Sequence, residues 1–247
     1  MIDVLDYIFI FLAYVVAAGI KGLTGIGFST SCLSIMALRL DLKVAIPLVI
    51  FPSVISNVVV MIQAGSFREA LKRFWPLYTA SIPGLLFGLS ILIASNVAAA
   101  KAMLGLILII YSGWALGNKA FSLADKRERQ LKIPAGLLTG FINGLTGSQV
   151  MPILPYLLSL DIGKNLFVQA INISFTLSSV VMLAGMYYSG LLTSTTSILA
   201  FGGILPVLAT LYFAGKLQKK MTGQTHRRFV LIFLLLTGVI LVLRIFA

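Results

Sequence analysis

Apolar residues recur along the chain in blocks of about 18 to 25, separated by short polar or charged punctuation. That is the length at which a helix rising about 1.5 Å per residue crosses a hydrocarbon core about 30 Å thick. The punctuation divides the chain into ten apolar segments, at 2–20, 27–38, 43–64, 75–94, 98–118, 132–143, 148–160, 164–188, 193–213 and 226–246. Two divisions, Gly22-Leu23-Thr24-Gly25 and Gly144-Leu145-Thr146-Gly147, interrupt stretches that are otherwise continuously apolar. A single helix over 2–38 would overshoot the bilayer by about twofold, and the short segments beside each GLTG cannot span it alone. The pattern therefore predicts helical hairpins with tips near the midplane.

The two GLTG elements anchor an internal repeat. Leu40-Asp41-Leu42 aligns with Leu160-Asp161-Ile162, Ala64-Gly65 with Ala184-Gly185, Ile82-Pro83 with Leu205-Pro206, and Gly113 with Gly238. With a hairpin and three full crossings in each copy, the second copy enters the membrane upside down. The expected fold is an all-α polytopic membrane protein of two inverted-topology repeats, residues 1–122 and 132–247, joined by a basic cytoplasmic linker at 123–131. In such arrangements the substrate site lies at the repeat interface near the midplane.

Composition agrees: 59% of the 247 residues are hydrophobic before 22 Gly are counted, and the mean hydropathy is +1.04. The formal net charge of +12 would suit a nucleic-acid binder, but the cations lie in short runs between apolar blocks. Hairpins that make no net crossing place Arg39, Lys43, Lys101 and Arg244 on one side of the membrane and fourteen other Lys and Arg on the opposite side. Broken stretches that crossed once each would divide them ten to eight. The positive-inside rule selects the hairpins and puts both termini outside the cytoplasm. Asp3 and Asp6 stand where a signal peptide would carry basic residues, so the first block is expected to stay in the membrane.

The motifs resemble those of the sulfite exporter TauE/SafE family. The second half carries the resemblance in Gly140-Phe141-Ile142-Asn143-Gly144-Leu145-Thr146-Gly147, Met151-Pro152-Ile153-Leu154-Pro155 and Asp161 to Asn172. The first half has Gly19 to Gly27, with Ser31-Cys32-Leu33-Ser34 where the proline element would fall. The resemblance implies a transporter of the bacterial inner membrane that moves small anions, namely sulfite, sulfonates or sulfur-containing organic acids.

The candidate chemistry lies at the tips. A returning half-helix exposes unpaired N–H groups and the positive end of its dipole, which attract anions. The returning helices are expected to begin at Gly25-Ile26-Gly27-Phe28-Ser29-Thr30-Ser31 and at Gly147-Ser148-Gln149. Candidate substrate-binding groups are thus Thr24, Gly25, Gly27, Ser29, Thr30, Thr146, Gly147, Ser148 and Gln149. Gly and Ser also serve close packing, the reading that the spacing of Gly136, Gly140 and Gly144 favours.

Lys21 is the one cation deep in an apolar stretch, where a lone charge costs several kcal/mol unless paired or hydrated. A substrate anion is one counter-ion for it; snorkelling to the interface is the alternative. Asn143 is its neutral counterpart in the repeat. Gln169, Asn172, Thr176 and Ser179 fall on one face of a long helix, and the corresponding first-half helix offers Ser53, Ser56 and Asn57 next to Pro47 and Pro52. Both sets are candidates for lining a cavity or for interhelical hydrogen bonds. Asp41 and Asp161 are expected to cap the helices that follow them.

No catalytic or metal centre is expected, because the only histidine, His226, lies in a basic loop, and no P-loop is present. No cofactor is called for. Glu69 and Glu128 fall in cytoplasmic loops, so proton coupling would run through Lys21 or the substrate itself. Uncoupled diffusion of an anion fits equally well, as does a homodimer. The expected partners are a small anion and the lipid bilayer, and the competing reading is a non-transporting membrane scaffold.

Overall fold

A computed structural model describes residues 3–117, 123, 125–218 and 223–244, without the side chains of residues 4, 125, 126, 218 and 223–229. The expected boundary at residue 122, Lys119, Lys219, Lys220 and the side chains of Lys126, His226, Arg227 and Arg228 lie outside the described residues.

The described residues form eleven helices and no strand. They are α1 (Val4–Thr24), α2 (Phe28–Ala37), α3 (Leu42–Ala64), α4 (Phe67–Ala94), α5 (Val97–Leu116), α6 (Asp125–Thr146), α7 (Ile153–Leu158), α8 (Lys164–Tyr188), α9 (Ser194–Gly202), α10 (Ile204–Gln218) and α11 (Gly223–Leu243). Six stretches, in α1, α3, α4, α5, α8 and α9–α10, are long and apolar enough to cross a bilayer. The fold is that of a polytopic α-helical membrane protein.

Both broken stretches double back. Asp3 and Asp6 cap the start of α1 reciprocally, and Arg39, just past α2, pairs with both, reaching Asp3 at 3.1 Å. In the second half, Leu123 N–H donates to the Ser159 carbonyl at 2.8 Å, and the Tyr156 hydroxyl donates to the Glu128 carbonyl at 3.2 Å, so the end of α7 returns to the start of α6. Arg39, Lys43 and Arg244 meet at one end of the bundle. There Arg244 donates to the Leu38 carbonyl and Lys43 to the Ile93 and Ser95 carbonyls, both at 2.9 Å.

Helix pairing exchanges between the halves. The first helix of each hairpin packs on a helix of the other half, α6 on α4 and α1 on α10, while α3 pairs with α8 and α5 with α11. The α4–α6 seam is backbone against backbone. A Cβ at Gly136, Gly140 or Gly144 would fall on the carbonyl oxygen of Leu77, Ser81 or Leu85, and one at Gly84 or Gly88 on that of Leu137 or Phe141. The packing reading of the Gly136, Gly140, Gly144 spacing therefore holds, with a second glycine pair facing it. Helices this close gain dispersion and Cα–H···O contacts without burying side chains.

Four expectations are corrected. Helix α6 starts at Asp125, so residues 125–131 are helical instead of forming a loop. Glu69 and Glu128, also expected in loops, lie in α4 and α6, and Glu128 is buried: Arg73 holds its carboxylate through two hydrogen bonds of 3.0 and 2.8 Å, and Lys132 sits 3.2 Å away. The second returning helix begins at Ile153, not at Gly147. Pro152 cannot donate to a preceding turn and pushes Met151 out of the helical region, so only the residues after it can start a helix. Asp41 caps α3 through the Lys43 N–H, but α8 is capped by Gly163 with no side-chain bond, which leaves Asp161 outside the turn.

Two outcomes follow for the detergent-solubilised protein. Gly140→Ala should lower stability by about 3 kcal/mol through overpacking of the seam. Gly113→Ala, where a Cβ would meet nothing, should leave stability unchanged or raise it by up to about 1 kcal/mol; comparing the two thermal midpoints checks this. The Arg73 hydrogen bonds, then Lys132, hold the Glu128 carboxyl below its ordinary value of 4.5. Its contribution is thus present above that value and lost as pH falls through the depressed one. Glu128→Gln should cost on the order of 2 kcal/mol at neutral pH and flatten the decline of the midpoint below pH 5.

Candidate functional site

The two GLTG elements have the same local chemistry. The last glycine of each is left-handed, Gly25 at φ 80° and Gly147 at φ 73°, and its N–H closes the helix onto the carbonyl four residues back, Lys21 at 2.7 Å and Asn143 at 2.6 Å. The threonine hydroxyl donates to the preceding turn, Thr24 to Ile20 at 2.8 Å and Thr146 to Ile142 at 2.7 Å. It also accepts an N–H from two residues on, Ile26 or Ser148. The first glycine lies at an interhelical seam, Gly22 against Ala214 and Gly144 against Leu85. Each break thus satisfies backbone groups at the end of the helix it closes, whereas the helix that follows, α2 or α7, starts with no side-chain cap. The hydroxyls of Thr24 and Thr146 are engaged in that task.

The tips pass each other instead of meeting end to end. Lys21 stands at the level of Asn57 on α3 and Asn172 on α8. Gln149 stands at Ser179, donating to its hydroxyl at 3.0 Å, seven residues or about 10 Å further along α8. Between these levels runs a polar strip contributed by α3 and α8.

Lys21 is 1% exposed, which excludes snorkelling. Its ammonium donates to Ser56 Oγ at 3.2 Å, to Asn172 Oδ1 at 3.3 Å and to Asn57 Oδ1. Three protons meet three neutral oxygens. The hydrogen bonds are satisfied, but no carboxylate among the described residues neutralises the charge. Ser56 passes the interaction on by donating to the Ser53 carbonyl at 2.8 Å, and the Ser53 hydroxyl bonds to that of Ser29 at 2.5 Å.

Beside this strip lies a small void of about 20 Å³, lined by Ser29, Ser53, Asn143, Gly147, Gln149 and Ser179 among others. Around it, among the described residues, buried polar atoms stand without partners: Asn57 Nδ2, Asn143 Nδ2, Ser148 Oγ and Gln149 Oε1. Both polar atoms of Gln169 and the Thr176 hydroxyl are also unpaired, although neither residue lines either cavity described here. A buried polar group left unpaired costs about 1–3 kcal/mol, so Asn57 Nδ2, Asn143 Nδ2 and Ser148 Oγ are poised for acceptors that the protein does not supply, while Gln149 Oε1 lacks a donor.

A larger cavity, about 340 Å³, opens beside the first tip. Thr24, Gly27, Thr30 and Ser31 form its polar wall, Tyr111, Trp114, Phe167 and Phe175 its aromatic one, and the exposed Lys164 belongs to its rim. Gly25 and Gly27 face open space, whereas a Cβ at Gly147 would strike Leu33 and Ile46. Lys21 lines neither cavity. Ten of the fifteen expected site residues fall in two places: Lys21, Asn57, Asn172, Ser29, Asn143, Gly147 and Gln149 along the central strip, and Thr24, Gly27 and Thr30 at the larger cavity; Gly25, Thr146, Ser148, Gln169 and Thr176 line neither cavity. The aromatic wall carries no sequence signal of its own, because Tyr111, Trp114 and Phe167 lie in spans where aromatic residues ordinarily pack against lipid or helix. Lys164 reads only as one more interfacial cation. No group of His, Cys, Asp and Glu able to hold a metal occurs among the described residues.

No curated protein and no solved structure matches the chain. A family model described as sulfite exporter TauE/SafE matches residues 10–241, a span that takes in both hairpins, the central strip and the larger cavity. The chain belongs to the sulfite exporter TauE/SafE family, membrane transporters of sulfite or related anions.

Proposed function

We propose that the chain carries a small anion, a sulfite-like oxyanion or an organosulfur sulfonate or carboxylate, across the bilayer, and that the anion is held along the strip between the two tips. The observation that carries this reading is the buried Lys21 ammonium, which has hydrogen-bond acceptors but no counter-charge. An anion is the complement such a site lacks. Asn57 Nδ2, Asn143 Nδ2 and Ser148 Oγ, all buried and unpaired, add neutral donors for the remaining oxygens. To bind Lys21, the anion displaces one of its three neutral acceptors, a switch that gives the site two discrete states.

In this reading residues 1–122 and 132–247 are the two inverted repeats, and the side bearing fourteen cations faces the cytoplasm, with both termini outside. The larger cavity is then a vestibule reaching the first tip from the cytoplasm, while the void of about 20 Å³ is a narrow central station. A void that small has room for about one water, so passage requires the tips to move apart. Each hairpin is seated on the other repeat, which suits rocking of one half against the other.

Purified protein in liposomes should take up at least one of sulfite, thiosulfate, sulfoacetate or a simple carboxylate; failure with every one of them sinks the proposal. Lys21→Met should weaken uptake by about 10- to 100-fold, matching the loss of a charge-assisted hydrogen bond of roughly 1.5–3 kcal/mol. It should change the thermal midpoint little, because the three hydrogen bonds lost are offset by removal of a costly buried charge. Unchanged uptake would return Lys21 to a structural role.

A further inference from the structure

We propose that the two halves that rock are not the two repeats but two bundles, each built from both repeats, and that Lys43 latches them at one end. One bundle holds α1, α2, α3, α9 and α10; the other holds α4, α6, α7 and α8. This rests on the transport reading above and names the bodies that move within it.

Each bundle is closed by contacts that resist sliding. In the second, the backbone seam joins α4 to α6, and Gly185 of α8 seats on Leu89 of α4. The Tyr78 hydroxyl of α4 donates to the Ala170 carbonyl of α8 at 3.2 Å, and Tyr156 ties α7 to α6. In the first, Gly22 seats α1 on Ala214 of α10. Tyr14 of α1 donates to the Leu48 carbonyl of α3 at 2.8 Å, a carbonyl that Pro52 leaves without its helical donor. The Tyr14 ring occupies the place of a Cβ at Gly203, between α9 and α10, and Phe51 of α3 packs on Phe201 of α9 with ring centres 4.5 Å apart. Close-packed interiors of this kind move as units.

The contact between the bundles is of another kind. Helix α3 holds no glycine, and the single glycine of α8, Gly185, faces α4. The two helices meet along the polar strip and the small void, whose walls are Ser29, Ile46 and Ser53 from one bundle and Asn143, Gln149 and Ser179 from the other. The chain passes directly between the bundles at Gly65 and at the segment around Gly190, at opposite ends of the antiparallel α3–α8 pair. Both glycines are left-handed, at φ 73° and 70°, and a Cβ on either would meet nothing within 4 Å. Uncrowded positions at the ends of elements are where hinge motion is absorbed.

Lys43, near the start of α3, reaches across from the first bundle to the second and donates to the Ile93 and Ser95 carbonyls at the end of α4, both at 2.9 Å. Matching Asp41 to Asp161 places Lys164 one position beyond the counterpart of Lys43. Lys164 is exposed at the start of α8 and makes no hydrogen bond or ion pair among the described residues. The pair of bundles is thus latched at the Lys43 end and free at the Lys164 end. Rotation that opens the first closes the second, where Lys164 meets the end of α10, the counterpart of α4.

Nitroxide labels on Leu5→Cys, Ile93→Cys, Ile133→Cys and Phe213→Cys, all at exposed positions and taken in pairs, test this by double electron–electron resonance. Cys32 is fully buried and takes no label. Leu5 of α1 and Ile93 of α4 lie at the Lys43 end, and Ile133 of α6 and Phe213 of α10 at the other. Lys43→Met should raise about tenfold the population with a longer Leu5–Ile93 distance and a shorter Ile133–Phe213 distance. Leu5–Phe213 and Ile93–Ile133, each within one bundle but spanning both repeats, should stay fixed. Rocking of intact repeats predicts the reverse, with the last two distances changing and the first two constant. That reverse pattern, no response of any pair, or changes of the same sign at both ends would each overturn the proposal. Fixed distances in a protein that takes up anions into liposomes remove this inference alone. Distances that respond as expected in a protein that moves no anion remove the transport reading alone.

Discussion

A helix that stops among apolar surroundings leaves four carbonyls, and the helix after it four N–H groups, with no water to take them. The rest of this architecture depends on how that cost is met. In both halves the GLTG element meets it locally: threonine bonds back to the turn it ends, the last glycine turns left-handed and closes onto Lys21 or Asn143, and the first glycine lets another helix approach. Because threonine and glycine close the end of the first helix, the polar side chains nearby are not needed to close it. That is why Ser29, Asn143 and Gln149 can stand around a void instead of closing the break.

The halves share this solution and differ in what they do with it. Lys21 occupies the position where the second half has Asn143, and it draws Ser56, Asn57 and Asn172 onto itself, tying α1 to α3 and α8. Asn143 leaves its amide nitrogen unpaired. The first tip continues into a capless ten-residue helix beside an open cavity, whereas the second continues through an extended stretch to a six-residue helix and is packed against Leu33 and Ile46. Two breaks of like local chemistry thus have unlike surroundings, with the charge and the open approach both on the first tip.

Much of the frame is legible in the sequence because it rests on residue types with narrow physical meaning. The glycines at four-residue spacing mark a backbone seam, and Arg39, Lys43 and Arg244, assigned to one side by charge counting, meet at one end of the bundle. Where legibility fails, a second partner far along the chain decides the outcome. A basic run around Glu128 reads as a loop until Arg73 of α4 is seen to clamp its carboxylate. A tip ending in Gly147-Ser148-Gln149 reads as a helix start until the constraint of Pro152 is applied. Asp161 reads as a cap by analogy with Asp41, but the turn closes at Gly163. The aromatic cavity wall is illegible because Trp114 and Phe167 are as well suited to lipid as to a ligand, and only the packing around them tells the two apart.

The exchange of helices between the halves also orders the making of the protein. Gly22 on α1 packs against Ala214, a residue synthesised 192 positions later, and Lys21 meets Asn172 only after 151 more residues. Chains emerge from the N-terminus first, so α1 enters the bilayer long before the surface it needs. Through that interval its ammonium has at most the acceptors of α3, and must stay hydrated to bear its charge in the membrane. The enclosure of Lys21 seen in the fold therefore needs the second half in place, since Asn172 is one of its three partners.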